Sequence, residues 1–371
     1  MTEERIFLSS PHMSDEGYEK KFVEEAFDTN WIAPLGPNVD NFEKEFSNYI
    51  GIDNAAALSS GTAAIHLALK AAGIRQGDIV FCPTLTFAAT INPVIYERAI
   101  PVFIDSGEKT WNMDAKALEQ AFLKYPEVKA VIVVHLYGLS ADMDAIMELC
   151  RKHKVVVIED AAESLGTLYK AQYTGTFGDY GIYSFNGNKI ITTSGGGMLV
   201  SKQQEKIEKV RFWATQSRDA ARHYQHSELG YNYRMSNVLA GIGRGQLKVL
   251  DERVEKKRKI YKKYQAGLSD ISEIGWMPSN EWDYANYWLS CITVNGAVTP
   301  TQIMDALEEK NIESRPIWKP MHLQPYYAKY SYIGNGFSED LFNKGICLPS
   351  DTKMNEKQMD QVIEIIRSLY K

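Results

Sequence analysis

Between residues 55 and 200 the sequence alternates short, uninterrupted apolar runs with longer stretches of helical character. The apolar runs are AAAL, IVF, PVFI, VIVV and VVVI, and polar residues do not alternate within any of them. Strands of this kind are buried on both faces, which is typical of a mostly parallel sheet covered by helices. The pattern therefore predicts a doubly wound α/β fold whose ligands bind at the carboxyl ends of the strands.

The stretches that follow these runs predict helices. They read GTAAIHLALKAAG, FAATINPVIYE, a segment near 114–124, MDAIMELCRKH and DAAESLG. Two further strands, YGIYSF and GGMLVS, are then joined by the segment around Lys189. That lysine is followed closely by three glycines, a setting that a surface lysine does not need.

The pattern changes after residue 250. A charged helix, DERVEKKRKIYKKYQAGL, leads into a region with one predicted strand, WLSCITV, and two predicted helices, TQIMDALEEKN and KQMDQVIEIIRSLYK. We therefore expect a large domain over residues 1–250 and a smaller α+β domain over residues 251–371. We expect the first 30 or so residues to pack near the smaller domain.

The composition argues against several classes of protein. The net charge of −6 does not indicate a nucleic-acid-binding protein. The four cysteines lie far apart without a CxxC pair, so the sequence predicts neither a metal site nor a disulfide framework. The N-terminal segment MTEERIFLSS lacks the apolar stretch that a signal peptide contains. No segment of the sequence approaches 18 consecutive apolar residues. We therefore expect a cytoplasmic protein without a membrane span.

Two groups of residues stand at predicted strand ends where a phosphate and a cationic nitrogen could bind. Ser60, Gly61 and Thr62 directly precede a helix, whose N-terminus attracts phosphate through free N–H groups and its dipole. Asp160 ends the VVVIED strand, and Glu163 would face the same way on a helical turn. Helix capping is an alternative interpretation of both groups.

Two more residues follow strands. Ser184 ends YGIYSF and precedes Lys189 by five residues, so a hydroxyl and an amine could reach one small molecule. Phe87 follows the IVF strand, where its ring could stack on a flat ligand. Taken singly, Ser184 is also explained as a turn residue and Phe87 as a core residue.

Together these residues match the parts of pyridoxal phosphate, a flat, phosphorylated aldehyde with a pyridine nitrogen. The residues before the helix, together with Ser184, would bind the phosphate, and Phe87 would stack on the ring. Asp160 would pair with the protonated ring nitrogen, and Lys189 would bind the aldehyde covalently. The joint occurrence of these residues is stronger support than any one of them.

Longer segments strengthen this interpretation. They read TNWIAPLGP, SGTAAIHLAL, IEDAAESLG, YSFNGNKIITTSGGGM, GYNYRMSN, ESRPIWKPMHLQP and GICLPS. In these segments the chain resembles, over nearly its full length, the sugar aminotransferases of the DegT/DnrJ/EryC1/StrS family. The resemblance implies the aspartate-aminotransferase fold of type I and pyridoxal phosphate as cofactor, with pyridoxamine phosphate as its second form.

The same resemblance implies roles for single residues. Lys189 would hold the cofactor and move protons, Asp160 would be the partner of the ring nitrogen, and Glu163 would lie near the ring's 3-oxygen. Asn232 matches an asparagine that reaches the cofactor phosphate of the neighbouring subunit, which implies a homodimer with active sites at the interface. One branch of the family carries histidine in place of this lysine and performs deoxygenation, and Lys189 argues against that branch.

Within the family the chain is most similar to transaminases of bacillosamine-type and exopolysaccharide pathways. This implies amino transfer from L-glutamate to the C4 ketone of a UDP-linked 4-keto-6-deoxy-N-acetylhexosamine. Other members use GDP- or dTDP-linked sugars, or a C3 ketone, and these substrates stay open as alternatives.

The sequence also offers candidates for substrate binding. They are Asn30, Trp31, Ile32, Ala33, Arg315, His322 and Tyr332. Trp31 offers a flat face to the sugar nucleotide, whereas Arg315 and His322 could meet the diphosphate or the donor carboxylate. Tyr332 belongs to a group of tyrosines of which one could contact uracil. The alternatives are burial of Trp31 in the core, and a structural salt bridge or hydrogen bond at Arg315 and at His322.

Two other classes of protein fit less well. A catalytically silent protein with this fold would be expected to lose Lys189, Asp160 or the phosphate segment, and all of them are present. A nucleotide-binding dehydrogenase would carry GxGxxG after its first strand, and neither that motif nor GxxxxGK[ST] occurs there.

Overall fold

The computed structural model describes residues 5–370. Over that range the strands are β1 (Asn54–Leu58), β2 (Ile79–Pro83), β3 (Ile100–Ile104), β4 (Ala130–Val134), β5 (Val156–Asp160), β6 (Leu168–Tyr169), β7 (Gln172–Tyr173), β8 (Tyr180–Ser184), β9 (Gly197–Ser201), β10 (Ile274–Trp276), β11 (Asp283–Tyr284), β12 (Ser290–Val294), β13 (Arg315–Pro316), β14 (Tyr332–Ile333) and β15 (Gly345–Leu348). The α-helices are α1 (Tyr18–Asp28), α2 (Pro37–Ile50), α3 (Gly61–Ala71), α4 (Asn92–Tyr96), α5 (Ala115–Lys124), α6 (Met143–His153), α7 (Gln204–Ala214), α8 (Asn237–Leu247), α9 (Leu250–Leu268), α10 (Pro300–Glu308), α11 (Phe337–Lys344) and α12 (Glu356–Ser368).

The largest sheet has eight strands in the order β1-β9-β8-β5-β4-β2-β3-β14. The pairs from β8 to β14 are parallel, and the two pairs that join β1, β9 and β8 are antiparallel. Every residue of β4 is buried, as expected for a strand covered on both faces. The structure thus confirms an α/β fold with a mostly parallel sheet.

The strand directions bring one edge of this sheet together. Because β1 runs antiparallel to β9, and β9 runs antiparallel to β8, β1 points the same way as the parallel strands. The carboxyl ends of β1, β2, β4, β5 and β8 therefore meet at a single edge.

The predicted helix FAATINPVIYE is only partly formed. Its α-helical part is α4, and a short 3₁₀ turn precedes it at Ala88–Thr90. Pro93 lies in the first turn of α4, where its missing N–H costs nothing. A longer helix would have placed this proline in its interior, where it removes a hydrogen bond.

The predicted helix DAAESLG is not formed, and this part of the prediction is wrong. The N–H of Ala161 donates to the carbonyl of Ile182 in β8 at 2.8 Å, so the chain stays attached to the sheet. The side chain of Asp160 accepts from the N–H of Ala162, and Gly166 takes a positive φ of 88°. These contacts produce successive turns.

Residues beyond 250 form mainly a second sheet in the order β10-β12-β15-β13. Apolar side chains of this sheet and of α9, α10 and α12 form a separate core cluster. Two short strands depart from this division, because β11 pairs with β6 and β14 pairs with β3. We propose a domain boundary near residue 250, with these two strands attached to the larger domain.

The N-terminal segment has contacts on both sides of that boundary. Ile6 forms a bridge with Ile312, and the carbonyl of Leu8 accepts from the N–H of Ser350 at 2.8 Å. The helix α1 instead packs against α8. No helix within residues 5–370 combines the length and the hydropathy needed to cross a bilayer.

Candidate active site

A cavity of about 510 Å³ lies at the sheet edge where the strand ends meet. Its wall includes predicted site residues, namely Ser60, Gly61, Thr62, Phe87, Asp160, Glu163, Ser184, Lys189 and Arg315. A wider cavity of about 850 Å³ lies between α2 and α7, and its wall contains none of the predicted residues. The smaller cavity is therefore the candidate active site.

Lys189 lies in the loop between β8 and β9, with a mostly buried side chain. Its Nζ is 3.8 Å from Oε1 of Glu163 and 4.2 Å from the centre of the Trp288 ring. A carboxylate and a π face both attract the charged amine. The lysine is thus held inside the cavity, as its sequence setting indicates.

Asp160 forms part of the acidic side of the cavity. Its Oδ2 accepts a hydrogen bond from Oγ1 of Thr90 at 2.7 Å, and its Oδ1 accepts from the N–H of Ala162 at 3.2 Å. Burial raises the pKa of Asp160 above its ordinary value, and these two donors and Lys189 oppose that rise. A cationic ring nitrogen beside this carboxylate would favour its charged form.

Glu163 lies in the same cavity wall as Asp160 and Lys189. Its Oε2 accepts a hydrogen bond from the N–H of Tyr137 at 2.6 Å. Burial raises the pKa of Glu163 to about 7, although Lys189 and the Tyr137 N–H limit the rise. Near neutral pH this side chain can therefore hold or release a proton beside the lysine.

The N-terminus of α3 forms a phosphate-sized corner of the cavity. Oγ of Ser60 accepts from the N–H of Ala63 at 3.0 Å, so the capping interpretation of this serine is correct. Gly61 and Thr62 still present N–H groups that the helix itself does not satisfy. An ideal Cβ on Gly61 would lie only 3.2 Å from Cβ of Ser184, so the hydroxyl of Ser184 belongs to the same corner.

The glycines after Lys189 allow close approach of two backbone segments. An ideal Cβ on Gly197 would collide with the carbonyl of Ser60 and would lie 2.6 Å from the nitrogen of Gly61. An ideal Cβ on Gly196 would lie 2.6 Å from Cε of Met235, whereas one on Gly195 meets nothing within 4 Å. The lysine loop can therefore pass against the start of α3 only because Gly197 has no side chain.

Phe87 lies at the cavity wall with 59% of its surface exposed, so it is not a core residue. Its ring centre is 5.6 Å from that of Trp318, and the two planes are tilted by 47°. Arg315 lines the same cavity, and its guanidinium donates to Oε1 of Glu313 at 2.9 Å.

The other predicted residues lie outside the cavity wall, and they are Asn30, Trp31, Ile32, Ala33, Asn232, His322 and Tyr332. The segment 30–33 and Asn232 are exposed on the surface. His322 and Tyr332 stack at 3.9 Å, and the phenol of Tyr332 donates to Asp105 at 2.6 Å. The structural interpretation of His322 therefore fits, because its Nδ1 also pairs with Thr84 at 2.6 Å.

Several residues of the site were not predicted from the sequence. They are Thr90, Tyr137, Trp288, Glu313 and Trp318. Thr90 follows Phe87 by three residues, so spacing could have indicated it. Trp288, Glu313 and Trp318 reach the cavity through tertiary packing, which leaves no local signal in the sequence, and Tyr137 contacts the site through its N–H to Glu163.

A comparison with known families identifies the family of this chain. The model of the DegT/DnrJ/EryC1/StrS aminotransferase family matches residues 14–367. The chain belongs to that family. It is therefore an aminotransferase of the type I fold that uses pyridoxal phosphate.

Individual relatives agree with this assignment. EpsN of Bacillus subtilis, a proposed pyridoxal phosphate-dependent aminotransferase, is 53% identical and is aligned over 99% of this chain and 96% of its own. GDP-perosamine synthase of Escherichia coli O157:H7 is 37% identical over 95% and 96% of the two chains. A proposed sugar aminotransferase of Streptococcus pneumoniae, solved in its PLP form, is 25% identical over 99% and 98%, with a TM-score of 0.92.

The residues of the cavity fit this cofactor. The corner at Gly61 and Ser184 presents N–H groups, hydroxyls and a helix dipole to a phosphate. Asp160 presents a buried carboxylate to a ring nitrogen, and Lys189 presents an amine to an aldehyde. We propose that these residues, together with Ser60, Thr62, Phe87 and Glu163, hold the cofactor.

Proposed function

We propose that this enzyme transfers the amino group of L-glutamate to the C4 ketone of a UDP-linked 4-keto-6-deoxy-N-acetylhexosamine. The product would be UDP-4-amino-4,6-dideoxy-N-acetylglucosamine, which would be used in the synthesis of a surface glycan or an exopolysaccharide. The arrangement of Lys189, Asp160 and Glu163 in a chain of this family supports amino transfer to a sugar. The choice of a UDP-linked sugar rests on the resemblance of the sequence to bacillosamine-type enzymes.

Bound pyridoxal phosphate supplies an electron sink that makes the Cα–H bond of the amino donor acidic. Nζ of Lys189 takes the proton from Cα of the donor, and later delivers a proton to C4 of the sugar. The carboxylate of Asp160 stabilises the positive charge on the ring nitrogen. Glu163, 3.8 Å from Nζ, provides a nearby group that exchanges protons near neutral pH.

We propose that the enzyme is a homodimer in which the exposed predicted residues serve the partner's cavity. The side chain of Asn237 donates to the carbonyl of Trp31 at 2.7 Å, so the segment 30–33 lies beside the segment that contains Asn232. Trp31 and Ile32 are each 50% exposed, and adjacent exposed apolar side chains are typical of an interface. Asn232 would then reach the partner's phosphate corner.

A GDP-linked 4-keto-6-deoxysugar is the second candidate substrate. The 37% identity with GDP-perosamine synthase over nearly both chains favours it. The two candidates differ in the nucleobase and in the acetamido group, and neither group is part of the C4 ketone that accepts the amine. The catalytic residues alone therefore do not separate them.

A panel of nucleotide ketosugars with L-glutamate tests the proposal. We expect the UDP-linked N-acetyl sugar to give the largest kcat/KM, with the amine at C4 shown by mass and NMR. The Lys189→Ala variant is the control and should give no product with any sugar. Preference for the GDP-linked sugar would replace the proposal by the second candidate, and a failure of all ketosugars would contradict sugar amino transfer.

A further inference from the structure

The backbone next to Lys189 is held by residues 8–12, which we call the N-terminal strap. Leu8 lines the cavity, and its N–H donates to Oε2 of Glu313 at 3.1 Å. An ideal Cβ on Gly187 would lie 3.9 Å from Cγ of Pro11, so the strap runs beside the lysine loop. The strap therefore lies against the segment that carries the catalytic amine.

One contact of the strap is with the residue that directly precedes the lysine. The carbonyl of Asn188 accepts a hydrogen bond from Oγ of Ser9 at 3.0 Å and a second from Nε1 of Trp288 at 2.8 Å. The ring of the same tryptophan covers Nζ of Lys189 at 4.2 Å. Two donors thus fix the peptide from which Lys189 projects, and one of them also contacts its amine.

The hydroxyl of Ser9 is itself oriented by a buried lysine. Nζ of Lys257, whose residue is only 2% exposed, donates to Oγ of Ser9 at 3.0 Å. The carbonyl of Asn188 can only accept, so the proton of the Ser9 hydroxyl goes to Asn188 and its oxygen accepts from Lys257. The result is a directed chain of hydrogen bonds from α9 through the strap to the lysine loop.

A second connection holds the other side of the loop. The side chain of Gln246 is buried, its Oε1 accepts from the N–H of Thr192 at 3.1 Å, and its Nε2 donates to the carbonyl of His12 at 3.0 Å. The strap thus contacts the lysine loop at two places. Ser9 bonds to Asn188, the residue before Lys189, and His12 is connected through Gln246 to Thr192, three residues after it.

We propose that the N-terminal strap positions Lys189 for the reaction, with Ser9 as the positioning residue that acts through the carbonyl of Asn188. This inference rests on the proposed role of Lys189. The strap is far from the lysine in sequence, and Ser9 need not touch the substrate. Its effect should appear in the rates at which the amine reacts and not in the affinity for substrates.

Three variants test the proposal, and two of them are controls. Ser9→Ala removes the hydroxyl, and Ser9→Thr restores it. Ser10→Ala removes a neighbouring hydroxyl of the strap that donates to Asp351 and does not reach the loop. Pyridoxal phosphate is added to each cofactor-free protein, and absorbance follows the condensation of the Lys189 amine with the aldehyde, which releases water.

Because Ser9→Ala removes one hydrogen bond, we expect the rate of this condensation and kcat each to fall by about fivefold to tenfold. The KM for each substrate should stay within about twofold of the wild-type value. Ser9→Thr and Ser10→Ala should stay within about twofold of the wild type. Unchanged rates in Ser9→Ala, or an equal loss in Ser10→Ala, would contradict a positioning role of Ser9.

Hydrogen exchange of the cofactor-free proteins gives a readout that is independent of activity. We expect faster exchange in the peptide around residues 186–192 for Ser9→Ala and no change there for Ser10→Ala. Wild-type protein that fails to bind pyridoxal phosphate at Lys189 would contradict the proposed function, whereas the exchange comparison would still decide whether Ser9 holds the loop. Identical exchange in all proteins would show that it does not.

Discussion

At the scale of single residues, the buried carboxyl group of Asp160 accepts two hydrogen bonds and is the group we propose to pair with the cationic ring nitrogen. Asp160→Asn keeps the size of the side chain and removes its charge. We expect kcat to fall by about 100-fold or more, because charge stabilisation in a dry site is worth several kcal/mol. The midpoint of thermal unfolding of the cofactor-free protein should not fall, since burial disfavours the native carboxylate. Nearly full activity of the variant would show that the aspartate is not the partner of the ring nitrogen.

Glu163 gives a second residue-scale prediction, which concerns pH. Burial raises the pKa of Glu163 from 4.5 to about 7, so the folded protein keeps a proton that the unfolded chain has released. The stability from this group is present below pH 4.5 and is lost as the pH rises towards 7. Relative to Glu163→Gln, the free energy of unfolding of the cofactor-free wild type should fall by about 2–3 kcal/mol across that range. Denaturant titrations at several pH values measure this difference, and parallel curves would contradict it.

Lys189, Asp160 and Ser184 were predicted from the sequence as site residues, and the structure brings them into one cavity because they lie at or just after strand ends, where α/β folds bind ligands. The sequence did not locate Trp288, which is distant in sequence and meets Lys189 only after folding. It proposed His322 and Tyr332 as substrate contacts, whereas the structure pairs them with Thr84 and Asp105. Residue type alone does not tell a ligand contact from a structural hydrogen bond.

At the scale of elements, the contact between β9 and the start of α3 gives a prediction with a matched control. Gly197→Ala places a methyl group against Ser60 and Gly61, so the start of α3 must move. We expect the affinity for pyridoxal phosphate to fall at least about tenfold, with a loss of roughly 1–3 kcal/mol in stability from overpacking. Gly195→Ala adds a methyl group in the same loop with no neighbour within 4 Å.

Cofactor titration and thermal unfolding of both glycine variants provide the check. Gly195 lines the cavity, so Gly195→Ala serves as the control for stability and should match the wild type in thermal unfolding. An equal loss of thermal stability in the two variants would contradict a specific clash between a methyl group at position 197 and the start of α3.

Element boundaries were predicted well for long helical patterns without an internal proline. The predicted helix MDAIMELCRKH coincides with α6, and the predicted charged helix after residue 250 coincides closely with α9. The prediction failed at DAAESLG, where hydrogen bonds to β8 and the side chain of Asp160 replace those of a helix. Such tertiary hydrogen bonds compete with local propensity and leave no mark in the sequence.

At the scale of the whole molecule, the proposed dimer predicts complementation between two inactive chains. In a mixed dimer of Lys189→Ala and Asn232→Ala subunits, the site with an intact lysine receives its asparagine from the partner. We expect the mixed dimer to recover about half of the wild-type activity, because one of its two sites is complete. Tandem tags allow the mixed dimer to be isolated and assayed. Activity no higher than that of Asn232→Ala alone would show that Asn232 acts in its own subunit.

The covalent use of Lys189 is the central claim, and peptide mapping tests it most directly. The purified protein is incubated with pyridoxal phosphate, reduced with borohydride, digested and analysed by mass spectrometry. We predict one added phosphopyridoxyl group, on Lys189 alone, and none in the Lys189→Ala variant. The amine of Lys257 is the informative comparison, since burial lowers its pKa to about 7 but its Nζ is buried against Ser9 and outside the cavity wall. A label on Lys257 in place of Lys189, or no label at all, would contradict the account.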